Sequence, residues 1–356
     1  MRSRVAWLLA ALVLVACAGL GVWLIAAGHS QRPRLLVGFD DDRLKWTAYP
    51  LEVVRRQRSL GADAVRVWVP WNGETRPGTT RSVELSRAEA AARHTTVVLA
   101  VFGFGARTPV SAEAQARFCG YARAALALVP DARAVVVWNE ANSRTYWRGT
   151  PEQYESLLAR CYDELHAFRR VQVLDSTASA HAPVAFLDGL AAAYRASGRN
   201  RPLVDAFGHN PYPLSAGEPP DAHHAGDVLG EGDYDRLVST LRAGFAHTAQ
   251  RSLAIWYLED GYQSGIPPAL RRGYTGRETI AVLTSTVQAE RVGAAVRLAA
   301  CQPLVRAFFN FELVDETRLQ GWQSGLIWQG ARVKPSAAAF QAAARQATEG
   351  TVACAT

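Results

Sequence analysis

The sequence has one methionine and two lysines, Lys45 and Lys334, so nearly all of its 39 basic residues are arginines. The formal charge of +7 is therefore guanidinium charge, and it is scattered without any block of like sign. A nucleic-acid binder gathers its cations into a stripe or patch. That class is excluded, and what remains is a modest attraction to anionic surfaces. No repeat of fixed period occurs, which excludes solenoids and arrays. Of the five cysteines no two stand at a metal-ligand spacing, so structural zinc is excluded too. Asp40-Asp41-Asp42 does not make a calcium or magnesium site, because hard cations need ligands converging from several places. A substrate-contacting carboxylate, Asp41, is the better reading, and no metal or cofactor is expected. After the first 28 residues no apolar run is long enough to span a bilayer.

The chain opens with Arg2 and Arg4, and then runs apolar from Val5 to Gly28, long enough to cross a hydrocarbon core of roughly 30 Å. Residues 1–29 read as an N-terminal membrane anchor or signal segment. An uncleaved transmembrane helix is favoured, since a signal peptide has an apolar region of only about 7–15 residues. Cleavage near Ala26 or Ala27 is a second reading. A third is lipidation of Cys17 in Leu14-Val15-Ala16-Cys17, although Ala18 to Gly28 continues apolar where a polar tether belongs. All three place the remainder outside the cytoplasm, anchored to the cell membrane or secreted. The flanking arginines (Arg2 and Arg4 against Arg32 and Arg34) do not fix orientation.

Residues 30–350 read as one domain. Short β-branched apolar runs alternate with longer amphipathic stretches, which is the pattern of βα units. Eight runs can be counted, at 34–39, 62–69, 95–103, 134–138, 171–175, 203–209, 253–258 and 306–312. Helical stretches follow near 51–60, 86–93, 111–128, 151–169, 183–197, 234–249, 278–300 and 335–347. Eight of each predicts a (β/α)₈ barrel. Helix starts are marked by Ser86 with Glu89 three residues on, by Ser111, and by Thr150-Pro151-Glu152. In this register Cys119 and Cys161 lie on consecutive outer helices and can bridge, leaving Cys301 to pin the C-terminal tail through Cys354. The other reading is four buried free thiols.

A barrel of this kind builds its active site at the C-terminal ends of its strands. The polar residues there are Asp40 to Asp42 after the first run, Trp71 and Asn72 after the second with Arg66 inside it, and Asn139 and Glu140 after the fourth. The sixth ends in His209, Asn210 and Tyr212, the seventh in Glu259 and Asp260, and the eighth in Asn310, Glu312 and Asp315. Cleaving a glycosidic bond takes one carboxylic acid at the leaving oxygen and one carboxylate at the anomeric carbon, about 5–5.5 Å apart when configuration is retained. Glu140 and Glu259, closing runs four and seven, meet that demand. Trp71, Tyr146, Trp147, Trp322 and Trp328 fall in the loops and are candidates for stacking on sugar rings. Arg66 inside an apolar strand requires a carboxylate partner.

The stretches VVVWNEAN (135–142), IWYLEDGYQS (255–264), VRVWVPW (65–71), FGHNPYP (207–213) and GLIWQGARVKPSAAAF (325–340) together resemble clan A of the glycoside hydrolases. The likeness is to cellulase-like family 5 and family 39 retaining enzymes, and it covers nearly the whole exported part. It implies Glu140 as acid/base, Glu259 as nucleophile, Asn139 as a 2-hydroxyl ligand, Arg66 as the partner of the nucleophile, and His209 and Tyr212 as hydrogen-bond donors near it. Trp71, Trp147, Trp322 and Asp41 complete the expected substrate contacts. Two positions depart from the pattern: Asp260 stands where the family usually has an aromatic, and FNFE at 309–312 where a sugar-stacking Trp is common. The expected function is retaining hydrolysis of a β-linked polysaccharide or oligosaccharide, with no nucleic-acid partner. The alternatives are a silent glycan-binding barrel, or an anchored transglycosylase that trims a surface polysaccharide during its synthesis.

Overall fold

The computed structural model describes residues 34–168 and 170–354. The expected N-terminal helix and Cys17 lie outside the described residues. Among the described residues no helix is long and apolar enough to cross a membrane.

Eight parallel strands form the inner layer: β1 (Leu36–Asp40), β2 (Ala64–Pro70), β3 (Thr96–Phe102), β4 (Ala134–Val137), β5 (Gln172–Asp175), β6 (Phe207–Asn210), β7 (Ile255–Asp260) and β8 (Val305–Phe311). Each is followed by one outer helix: α1 (Pro50–Ser59), α2 (Thr79–Ala92), α3 (Ala112–Leu128), α4 (Pro151–Leu165), α5 (Pro183–Ala196), α6 (Tyr234–Phe245), α7 (Ser285–Cys301) and α8 (Pro335–Glu349). The sheet runs β5-β4-β3-β2-β1-β8-β7-β6, with a two-residue strand, Ala178–Ser179, beyond β6. Every pairing is parallel. The ring closes between β5 and β6 through a single bridge, Leu174 to Ala206. At this seam Gly208 N donates to Asp175 Oδ1 at 2.7 Å, and a Cβ on Gly208 would stand 2.2 Å from the Asp175 carbonyl oxygen. Only glycine lets the strands meet there.

Strands buried on both faces read as continuous apolar runs, and β3 (TVVLAVF) and β4 (AVVV) do so, with almost every residue buried. The helices begin where capping chemistry supplies acceptors for their free N–H groups. Thr150 and Gln153 form a full capping box ahead of α4 with Pro151 at its first turn, and the Ser111 side chain accepts from Ala114 N. The Ser86 signal misleads. Helix α2 starts seven residues earlier, at Thr79, and Ser86 sits inside it with its hydroxyl donating to Val83 O. The stretch from 278 is also loop until Thr284, whose side chain caps α7. Both disulfides form as the register predicts, Cys119–Cys161 between α3 and α4 and Cys301–Cys354 from α7 to the tail.

The loops after β7 and β8 join through a bridge at Thr275–Arg318, and the β7 loop closes on itself at Ser264–Leu283. They carry a small apolar cluster of Tyr274, Leu319 and Trp328. Lys334, fully buried, bonds Asp315, Ser264 and the Gln323 carbonyl, and Lys45 is likewise buried in an ion pair with Asp42 at 2.8 Å. All three Lys334 donors have partners, the condition under which a charge can be buried.

Candidate active site

Side chains alternate along a strand, so register decides what enters the barrel. Asp40 pairs in register with Arg66, and the two side chains meet inside. One guanidinium nitrogen of Arg66 donates both to Asp40 and to Glu259 Oε1, the latter at 2.7 Å, and the other donates to Asn139 Oδ1 at 2.9 Å. Arg66 is fully buried, and three strand ends are therefore joined by one cation. Burial pushes the Asp40 carboxyl well above the usual range against the pull of Arg66, and the Glu259 charge adds to the rise. Tyr212 OH donates to Glu259 Oε2 at 3.2 Å. Burial, then the Glu259 charge, hold that phenol protonated, far above its ordinary pKa.

Glu140 leaves β4 on a strained backbone. Its φ is +39° and that of Trp138 is +73°, a conformation non-glycine residues rarely adopt and one that gathers at functional sites. Its N–H bonds Ser176 Oγ at 3.2 Å and its Oε1 accepts from Asn210 Nδ2 at 3.0 Å. Burial first, and the Glu259 charge second, raise its pKa from 4.5 to about 7; Asn210 and Arg66 pull the other way. The two glutamates thus sense each other across the mouth. Asn139 Oδ1 is taken by Arg66 and Ser176, while its Nδ2, buried, has no hydrogen-bond partner among the described residues. His209 lies buried on β6, its ring 5.8 Å from Tyr257.

Asp260 does not compete for this place. It follows Glu259 on the strand and is buried without a bond to Arg66 or Tyr212 among the contacts of either. Burial raises it to about 7, and its charge bears on the buried Glu231 just ahead of α6.

Comparison with known proteins bears on the fold. No protein-family model matches the chain, and no curated protein matches its sequence. Among solved structures, a family 39 glycoside hydrolase from Bacteroides cellulosilyticus WH2 aligns with TM-score 0.64 at 16% identity, over 88% of this chain and 64% of that one. This chain therefore spans less than two thirds of that protein. A GH5_18 protein from Bifidobacterium longum subsp. infantis aligns with TM-score 0.62 at 17% identity, over 88% of this chain and 79% of that one. A GH5_18 protein from Streptomyces cattleya, solved with GlcNAc, gives 0.61 at 17%, over 90% and 81%. The fold is the one these glycoside hydrolases share.

Within this barrel, Glu140, Glu259, Asn139, Arg66 and Tyr212 come together at the mouth. Trp322 joins them, its ring 5.0 Å from that of Tyr212. Two expected sugar contacts pack among other aromatic rings. Trp71 is buried against Phe118 of α3 and Trp138, with its ring nitrogen bonded to Glu74 O. Trp147 is buried between Trp138 and Tyr154. Both fill the layer between barrel and helices. Asp41 is also placed differently: its two oxygens accept from Arg43 N and Leu313 N at 2.7 and 3.0 Å, so it fastens the β1 and β8 loops together. Sequence reasoning gave no role to Trp68, whose ring nitrogen donates to Asp40 at 3.0 Å, nor to Asn210. Counting by twos from Arg66 puts Trp68 on the inner face and Trp71 on the outer, a signal that was available.

Proposed function

We propose that the protein is a retaining O-glycoside hydrolase acting on β-linked oligosaccharide or polysaccharide outside the cytoplasm. One observation carries this reading: two carboxyls share the mouth in opposite electrostatic settings. Glu259 is held by a guanidinium and a phenol, and Glu140 is pushed to about 7 by burial and by the charge of Glu259. A nucleophile and an acid working near neutrality need that division.

In the first step a Glu259 oxygen attacks the anomeric carbon, the glycosidic bond breaks, and the leaving oxygen takes the proton of Glu140. The product is a glycosyl ester on Glu259. Esterified Glu259 has no charge, so the second cause of the raised Glu140 pKa disappears. Glu140 is then a carboxylate able to take a proton from the water that opens the ester. The open donor of Asn139 is suited to the sugar 2-hydroxyl, a contact that tightens as the transition state forms. Two disulfides agree with an oxidising compartment.

The test uses a panel of aryl β-glycosides with the parent protein, Glu259→Ala and Glu140→Ala, each with and without azide. Turnover by the parent is expected, with rescue of Glu259→Ala giving the α-glycosyl azide and rescue of Glu140→Ala giving the β-anomer. Exchanged anomers would reverse the two roles, and a parent protein inert on every glycoside would remove the reading.

A further inference from the structure

Beside the nucleophile a cavity of about 330 Å³ opens between the loops that follow β6, β7 and β8. It begins at Tyr212, which bonds Glu259, and at Gly261, two residues past the nucleophile. Trp322 and Tyr262 wall it, Gln263 offers an amide, and Leu214 and Ile280 form its outer edge, 40% and 51% exposed. None of its eleven lining residues carries a charge. On the other flank of the mouth, the cavity at the β1 and β8 loops is lined by Asp41, Asp42, Arg43, Glu312, Glu316 and Arg318. In a chain of net charge +7, the uncharged wall next to the nucleophile is a selective feature.

We infer that this cavity is a specificity subsite for a neutral glycone bearing a methyl-terminated substituent, an acetamido or O-acyl group. The inference rests on the retaining-glycosidase reading. In that chemistry the leaving group departs on the side of Glu140, and the part that stays on the enzyme lies over Glu259. A pocket reached past Tyr212 and Gly261 therefore receives the retained sugar. Its size is at the low end of small-molecule pockets, about 300–1,000 Å³. Apolar walls with one or two fixed polar groups favour a methyl beside an amide or ester, and they disfavour a carboxylate, which would lose its water with no cation to replace it. Each extra methylene in an apolar pocket is worth roughly 10–200-fold in discrimination.

The test compares kcat/KM for matched aryl β-hexosides: unsubstituted, 2-acetamido, 6-O-acetyl, and the 6-carboxylate. At least one methyl-bearing glycoside is expected to exceed the unsubstituted parent tenfold, with the uronide poorest. Ile280→Asp and Leu214→Asp, at exposed positions that tolerate charge, should bring the preferred ratio toward one. The 2-acetamido and 6-O-acetyl arms separate the two sources of the methyl. Ratios within twofold for every substituted glycoside, or a preference for the uronide, would overturn the inference while leaving the glycosidase reading in place. If the parent protein hydrolyses none of them, the glycosidase reading fails. The pocket is then judged by tryptophan fluorescence on titration with the corresponding methyl glycosides. A preference for the acetylated sugar that is lost in Ile280→Asp supports it, and equal or absent binding overturns it.

Discussion

Replacing Glu140 by Gln should stabilise the fold, by an amount that grows as pH rises from 4.5 and is complete above about 7. Glu140 ionises near 4.5 in an unfolded chain and at about 7 in the folded one, a difference on the order of 3 kcal/mol. Below 4.5 both states are protonated and the residue is neutral in each. Between 4.5 and about 7 the unfolded state has lost its proton and the folded state has not, so stability falls as pH rises. Above about 7 the folded protein holds a buried carboxylate beside Glu259 and the full deficit is present. Glutamine never ionises, and its carbonyl still accepts from Asn210. Urea unfolding of parent and Glu140→Gln at pH 4, 6 and 8 should give a difference near zero at pH 4 that grows to about 3 kcal/mol in favour of the variant at pH 8. A difference that does not change with pH, or a less stable variant at pH 8, would refute the electrostatic account of the site.

Arg66→Met leaves Asp40 and Glu259 buried side by side without their shared cation; removing one partner from such a site costs about 3–5 kcal/mol, so urea unfolding that shows a loss under 1 kcal/mol would contradict the network. A second pH effect belongs to the loop that carries Tyr212. His224 bridges Asp233 Oδ2 at 2.7 Å and Glu218 Oε1 at 3.1 Å, with Arg236 and His223 also facing Asp233. Burial lowers the His224 pKa, but the bonds to Asp233 and Glu218 raise it more in sum. A raised folded pKa means the clamp is fully formed below the ordinary histidine value of about 6.5 and is lost as pH rises through the folded one. Limited proteolysis within 214–226 should accelerate as pH rises in the parent and be fast at every pH in His224→Ala; equal rates for the two at pH 6 would count against the clamp.

The barrel was legible because each βα unit announces itself locally: β-branched runs such as VVLAV and AVVVW, and caps at Ser111 and Thr150 that the structure keeps. Helix α2 was misread because its first turns, TTRSVEL, carry little apolar periodicity and begin after Gly78 with no side-chain cap, whereas Ser86-x-x-Glu89 mimics one. In the site, Glu140, Glu259, Asn139 and Tyr212 could be found from strand ends alone, since each lies within three residues of one, and Arg66 from being a cation inside an apolar strand. Trp147, in contrast, occupies a loop position that looks no different from that of Trp322. What separates them is whether the loop folds back over the helix layer or stands over the mouth, and that depends on contacts with residues far away in sequence. The bonds of Asp41 were hidden for the same reason, because the groups that occupy it include Leu313 from the other end of the chain.

The burial of both lysines has a practical side. Lys45 and Lys334 are each about 2% exposed and committed to carboxylates, so among the described residues the cationic surface is entirely guanidinium. Guanidinium does not lose its proton at any pH a protein survives, and the outer positive charge stays constant well into alkaline solution. The same surface offers no side-chain amine to acylating labels, aldehyde cross-linkers or activated-ester supports. Coupling chemistry aimed at lysine would have to open the fold before it found one.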